Sequence, residues 1–260
     1  RTPTDYATPF KNDPLPKWLT EEVRQKHWAG CGPHSAREIP GYVDKVDWLQ
    51  GYDLQPSQAS SMDEVRRMFD GYDIGVRYAD DGIGQVLRAL EQQGVLDETV
   101  IVVSADHGEN LGELNIYGDH QTADHITSRV PLIVRWPGIT RPRVDTALHY
   151  HFDFAATMIE LAGGKVPEVW DGRAFTSAFK SGQQQGRDYL VVSQGAWSCQ
   201  RSARFEDYIC IRSYHDGYHA FPDVMLFDVR NDPHEQSDIV DAKPQAVSAA
   251  MSMLDAWHGR

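Results

Sequence analysis

The sequence predicts an α/β protein: a mixed sheet flanked by helices, partial as it stands, with a small C-terminal antiparallel α+β subdomain. Three observations predict it. A long amphipathic segment runs from Ser61 to Gly94, a continuous β-branched run (Thr99-Val100-Ile101-Val102-Val103-Ser104) follows directly, and beyond residue 188 the texture changes to shorter strand-like runs.

Residues 1–60 carry Pro3, Pro9, Pro14, Pro16, Pro33, Pro40 and Pro56 with little periodicity, so they read as an irregular lead-in or active-site rim with a short helix near residues 20–28. Ser61 followed by Glu64 forms a capping box, and Val65, Met68, Phe69, Tyr72, Val76, Ala79, Ile83, Val86, Leu87 and Leu90 continue at helical spacing. Gly71, Gly75, Gly82 and Gly84 predict a kink or close packing on a sheet. The runs at 99–104 and at Pro131-Leu132-Ile133-Val134-Arg135-Trp136 read as buried parallel strands, the second closed by Pro137-Gly138. Helical spacing resumes at 154–161. Strand-like runs at 189–192, 199–205, 208–212 and 225–229 then give the antiparallel subdomain, closed by a helix at 246–257. The domain division expected is therefore 1–60, 61–188 and 189–260. Only two or three buried parallel strands are visible where a doubly wound sheet has more, so the sheet is read as incomplete.

At 260 residues and 41% apolar content the chain can build a sizeable core. A net charge of -13 disfavours nucleic acid as a partner, so an anionic substrate needs a metal or local cations. No apolar run is long enough for a membrane span, and the compartment stays open between periplasmic, secreted and cytoplasmic. Cys31, Cys199 and Cys210 are too few for a disulfide framework and read as free thiols, although Cys199 and Cys210 could face each other across a hairpin.

The chemistry gathers after the first strand. Ala105-Asp106-His107-Gly108-Glu109-Asn110 leaves its C-terminal end, where open α/β sheets place their sites. Asp119-His120 and Asp124-His125 follow within 20 residues, and carboxylate beside imidazole is a metal-ligand pair. His120 and His125 are five apart, so at most one faces the site. Position at a strand end singles out Asp106 and His107.

These residues, with Leu111-Gly112-Glu113, Arg129-Val130-Pro131-Leu132-Ile133-Val134-Arg135-Trp136-Pro137-Gly138, Thr157-Met158-Ile159-Glu160-Leu161-Ala162-Gly163 and Leu226-Phe227-Asp228-Val229-Arg230-Asn231-Asp232-Pro233-His234-Glu235, resemble the sulfatases of the alkaline phosphatase superfamily. Tyr78-Ala79-Asp80-Asp81-Gly82-Ile83-Gly84 resembles the helix preceding that family's metal strand. The likeness covers about residues 60–240. It implies an alkaline-phosphatase-like mixed sheet and a sulfuric ester hydrolase, with a sulfated small molecule or sulfated glycan as substrate.

The resemblance further implies one divalent cation, calcium by family habit, for which Asp106 and His107 match an Asp-His ligand pair; a histidine ligand leaves manganese or zinc open. His120 lies eleven residues before Pro131, where many members carry a sulfate-contacting lysine, so it is the expected anion contact and proton donor, with Asp119 or Asp124 beside it to favour its charge. Asp153 matches a structural position, and Arg129 and Tyr117 are expected near the surface. The family's formylglycine nucleophile, made from Cys/Ser-x-Pro-Ser-Arg, has no match here. Cys31-Gly32-Pro33-His34-Ser35-Ala36-Arg37 has two extra residues and lies only 75 before Asp106, so it is read as a decoy. An early Asp-Asp pair is also missing, so the N-terminal half of the same protein is the expected partner and this chain alone is expected to be inactive. Two other readings stand beside this one: a phosphodiesterase or phosphonate monoester hydrolase of the same superfamily, and a noncatalytic remnant or binding module.

Overall fold

The structure, a computed structural model, describes residues 10, 12–39 and 56–258. Pro3, Pro9 and Pro40 of the proline-rich lead-in lie outside the described residues. Its helix is α1 (Glu21–Ala29), whose N-cap Thr20 accepts the Val23 N–H. The lead-in also supplies core. Leu19, Ala36 and Ile39 are buried with Val65 and Met68 from the first turns of α2 (Met62–Gln92), together with Ala59 and Tyr117. Tyr117 is thus corrected from a surface role to a core one, because its ring fills this cluster and its hydroxyl meets His27 Nδ1 at 2.8 Å.

Ser61 caps α2 by accepting the Glu64 N–H, and Gly94 at φ +71° follows its end. A Cβ at Gly71, Gly75 or Gly82 would meet nothing within 4 Å, so among the described residues no close packing uses these glycines. The apolar stripe that the periodicity traced continues past the lead-in core as exposed surface, with Val76 at 56% and Val86 at 60%.

Strand β1 (Ile101–Ser104) pairs with β4 (Leu132–Arg135), and the pairing is antiparallel, Ile101 opposite Arg135 and Ser104 opposite Leu132. This corrects the expectation of two buried parallel strands. An apolar β-branched run reports strand-forming preference but carries no information on direction, and the chain between these two returns to the same edge. Neither strand is buried: Ile133 is 64% exposed. A two-stranded ribbon of this kind is by itself marginal in water.

Between β1 and β4 lie β2 (Asn110–Leu111), β3 (Tyr117–Asp119) and the single turn α3 (His125–Ser128), with β2 and β3 antiparallel. Helix α4 (His151–Leu161) and the short α5 (Thr176–Lys180) follow and pack through Phe154, Phe175 and Phe179.

The C-terminal sheet is an antiparallel meander, β5 (Tyr189–Gln194), β6 (Cys199–Phe205), β7 (Tyr208–His215) and β8 (Val224–Asp228). Period-2 alternation sends Cys210 to one face, where α6 (Pro244–His258) covers it with Ala250 and Leu254. Fully burying a leucine such as Leu254 is worth about 1.5–3 kcal/mol. Ile209 and Ile211 point to the other face, with Met225 and Phe227, and Leu114 of the β2–β3 connection packs there. The subdomain therefore buttresses the loops that follow β1. Cys31, Cys199 and Cys210 are free thiols; Cys199 sits opposite His215 and Cys210 opposite Ala203.

Candidate metal and anion site

The turn after β1 is held from two sides. Ser104 Oγ donates to the Pro131 carbonyl at 2.8 Å, and the Gly108 N–H donates to the Thr127 carbonyl at 2.8 Å. A Cβ on Gly108 would lie 1.9 Å from the Ile126 carbonyl oxygen, so only glycine lets this turn lie against α3.

Asp106 projects outward, with its side chain 87% exposed; Oδ1 accepts the His107 N–H at 3.0 Å and Oδ2 lies 3.7 Å from His107 Nε2. That backbone bond, with the nearby imidazoles of His107 and His120, holds the carboxyl below its ordinary range. His107 Nδ1 is 2.8 Å from the Gly108 carbonyl, an acceptor that calls for Nδ1–H and leaves Nε2 with the lone pair.

His120, at the end of β3, stacks on His107 with ring centroids 3.6 Å apart and an interplanar angle of 22°. Its Nδ1 stands 3.5 Å from Glu109 Oε2 and 3.4 Å from Asp119 Oδ1, without a hydrogen-bond partner among the described residues. Burial pushes the Glu109 carboxyl up, and Asp119 adds to this while the two imidazoles oppose it. One donor atom each from His107, Glu109 and His120 fall within 4.8 Å of one another, a group of the size a metal ion spans. Two imidazoles and a partly desolvated carboxylate are a borderline donor set that suits zinc or manganese and is less typical of calcium.

The structure thus brings the expected His107 and His120 together, with Asp106 at the edge. Glu109 and His34 were not picked out from sequence. Glu109 lies two residues past His107, in the quoted Asp-His-Gly-Glu string, so proximity alone could have flagged it. His34 belongs to the string read as a decoy, yet its Nε2 meets Asp119 Oδ2 at 2.7 Å; its φ is +59° and its carbonyl accepts the Tyr117 N–H at 2.8 Å. Burial works against the Asp119 charge, but His34 and the His120 N–H outweigh it and hold the carboxyl low. Nothing local in sequence links residues 34 and 119.

Of the two acids considered beside His120, Asp119 is the one that faces it. Asp124 is fully buried as the N-cap of α3, accepting from the Thr127 N–H and the Thr122 hydroxyl. His125 is half-buried, and desolvation, with Arg204 and Arg129 nearby, lowers its ring pKa to about 4. The His125 backbone N–H donates to Glu235 Oε1 at 3.1 Å, so the C-terminal signature docks on the base of the site; the adjacent His234 Nδ1 reaches Glu113 Oε1 at 2.8 Å. Glu235 is 3% exposed with Oε2 unpartnered among the described residues. Burial, with Asp124 and Glu113 nearby, pushes its carboxyl well above the ordinary range. An acid whose folded pKa is raised destabilises the fold as pH climbs from its unfolded value, about 4.3, through the folded one. Glu235→Gln is therefore expected to flatten the fall in stability between pH 5 and pH 8, measured by urea unfolding at each pH; an equal fall in both proteins rules this out.

The framework of β1, β4 and their flanking helices, with the antiparallel sheet behind them, has the alkaline-phosphatase-like fold. It superposes on a 2-O GAG sulfatase with a TM-score of 0.69 at 19% identity, covering 95% of this chain and 52% of that one. It also superposes on a phosphonate monoester hydrolase from Silicibacter pomeroyi with a TM-score of 0.65 at 22% identity, covering 94% and 50%. The sulfatase family profile matches residues 6–164, and that of the C-terminal part of N-sulphoglucosamine sulphohydrolase matches residues 112–255. The chain belongs to the sulfatase family. It is 28% identical over 208 residues to an N-acetylglucosamine-6-O-sulfatase from Bacteroides thetaiotaomicron, covering 76% of this chain and 36% of that protein. The chain thus spans about half or less of the length of these relatives.

Proposed function

We propose that this chain supplies part of the divalent-cation and anion site of a sulfuric ester hydrolase acting on a sulfated sugar. The observation that carries this reading is the convergence of His107, Glu109 and His120 at the end of β1 in a sulfatase-family chain. The sugar is suggested by relatives described as an N-acetylglucosamine-6-O-sulfatase and as a complex with D-glucosamine-2-N,6-O-disulfate.

Asp106 and His107 are the assigned ligands, with Glu109 as a third. Calcium follows family habit, and the imidazole content keeps manganese and zinc in play. Bound there, the cation would supply Lewis-acid stabilisation of charge on the ester oxygens. His120 is assigned to the anion: with Nδ1 between Glu109 and Asp119, its Nε2 is the atom left to contact a sulfate oxygen or hand a proton to the leaving oxygen. Asp119, braced by His34, fixes the ring's orientation. The formylglycine nucleophile and the remaining acidic ligands are assigned to an N-terminal half, which would also cover the exposed faces of β1, β4 and α2. Among the described residues no helix is long and apolar enough to cross a membrane.

The phosphonate monoester hydrolase likeness favours a second reading on the same site, phosphodiester or phosphonate ester hydrolysis. Parallel assays of an aryl sulfate and an aryl phosphodiester with the full-length protein separate them. Sulfate turnover that chelation removes and Asp106→Ala abolishes is expected. Diester turnover without sulfate turnover would overturn the sulfatase reading, and no turnover of either would leave the noncatalytic one.

A further inference from the structure

We infer that the α6 face of the C-terminal sheet carries a second, noncatalytic binding site for a sulfated saccharide, built from Arg201, Arg212, Tyr214 and Trp257. Arg201 on β6 and Arg212 on β7 are directly opposed cross-strand partners. Like charges in that position repel and cost stability. Neither guanidinium has a carboxylate partner among the described residues; the polar contacts of Arg201 are to the His258 ring nitrogens. In a chain of net charge -13 a paired, unneutralised cation is a local exception, and it invites an anion that bridges the two forks.

Aromatic faces complete the surface. The Arg201 guanidinium lies 4.9 Å from the Trp257 ring centre and 5.9 Å from that of Tyr214, and Arg212 lies 5.1 Å from Tyr214. Tyr214 is 45% and Trp257 38% exposed, so both rings offer aromatic surface to solvent beside the guanidiniums that pack on them. A rigid, amphipathic aromatic surface beside a doubly cationic spot fits a ring with an apolar face and an anionic substituent, which is a sulfated sugar. Single-stranded nucleic acid also stacks on aromatic and arginine planes, but its many phosphates suit an acidic protein poorly.

Strand alternation keeps this platform away from the candidate catalytic loops. Arg201 and Arg212 share the face of Ala203 and Cys210, under α6, whereas Leu114 of the β2–β3 connection packs on the opposite face against Ile209 and Ile211. A glycan held on the α6 face is thereby retained near the enzyme independently of the catalytic contacts. The choice of sulfated sugar rests on the reading given under Proposed function.

The test is calorimetric titration of the full-length protein with a sulfated heparin-type tetrasaccharide, its desulfated counterpart and an oligothymidylate, with divalent cations chelated so that the catalytic site contributes little. Arg201→Gln/Arg212→Gln is expected to weaken sulfated tetrasaccharide binding at least tenfold and to leave aryl sulfate turnover, assayed with metal, unchanged. Tyr214→Ala, which leaves both cations, is expected to weaken it several-fold. Unchanged affinity in the double variant, equal binding of the desulfated sugar, or tighter binding of the oligothymidylate each overturns the proposal. Absence of aryl sulfate turnover in the wild type would count against the sulfatase reading while leaving this binding result legible.

Discussion

Asp153→Ala is expected to cost about 3–5 kcal/mol of folding stability, because it leaves two backbone donors without their acceptor and removes the carboxylate that pairs with a half-buried guanidinium. Asp153 is 1% exposed. Its Oδ2 accepts the Tyr150 N–H at 2.9 Å and Arg187 Nε at 2.7 Å, while Oδ1 accepts the Arg173 N–H at 2.8 Å and the other arm of the same guanidinium. Arg187 lies beside the stacked pair of Tyr150 and Phe152, 4.9 and 5.4 Å from their ring centres, and also donates to the Asp171 carbonyl at 2.6 Å. One carboxylate thus caps α4, ties it to residue 173 and anchors the approach to β5. Burial works against its charge, but Arg187 and the two N–H groups outweigh it and hold the carboxyl below the ordinary range. A depressed folded pKa gives stability that is present above the unfolded value, about 4, and lost as pH falls through the folded one. The deficit of Asp153→Ala in urea unfolding should therefore be full at pH 7 and shrink on acidification. A loss under about 1 kcal/mol at pH 7 would show that the network contributes little.

The second large effect is kinetic. His120→Ala in the full-length protein is expected to lower kcat for an aryl sulfate about 10²–10⁴-fold, the range for removing a positioned proton donor. Its ring is set by the stack on His107 and by the two carboxylates beside Nδ1, so the residue is oriented before an anion arrives. The effect should fall on kcat more than on KM, since proton delivery matters in the transition state. Steady-state kinetics at saturating metal give the answer, and a variant within threefold of wild type would remove His120 from the chemistry.

Much of this was legible in the sequence because the signals were local. Ser61 and Glu64 marked the start of α2, Gly94 its end, and the strand-like runs after residue 188 marked an antiparallel subdomain, whose strand order and faces came from the structure. The strand-end position of Asp106 and His107 came from the apolar run before them, and the match of His120 to a family lysine position came from the resemblance. What stayed hidden depended on long-range contact. The direction of β1 against β4 is set by how the intervening loops return, which periodicity does not encode. Tyr117 looked like a surface residue until Leu19, Ala36 and Val65 closed around it. His34 reaches Asp119 across 85 residues of chain through a left-handed turn that histidine seldom adopts. The apolar periodicity marked α2 as an amphipathic helix, but only its first turns meet a core cluster among the described residues.

The most direct test is metal binding to the full-length protein, in which the ligands assigned to the N-terminal half are present. Calorimetric titration with manganese, zinc and calcium in turn, at pH 7.5, should give one saturable site for at least one of them. His107→Ala should weaken that site about 100-fold and Glu109→Gln at least tenfold, with affinity rising with pH because the Glu109 carboxyl, held high by burial, must lose its proton to bind. Saturable binding that both variants leave unchanged, or no binding of any of the three ions, would contradict the assignment of this strand-end cluster as a metal site.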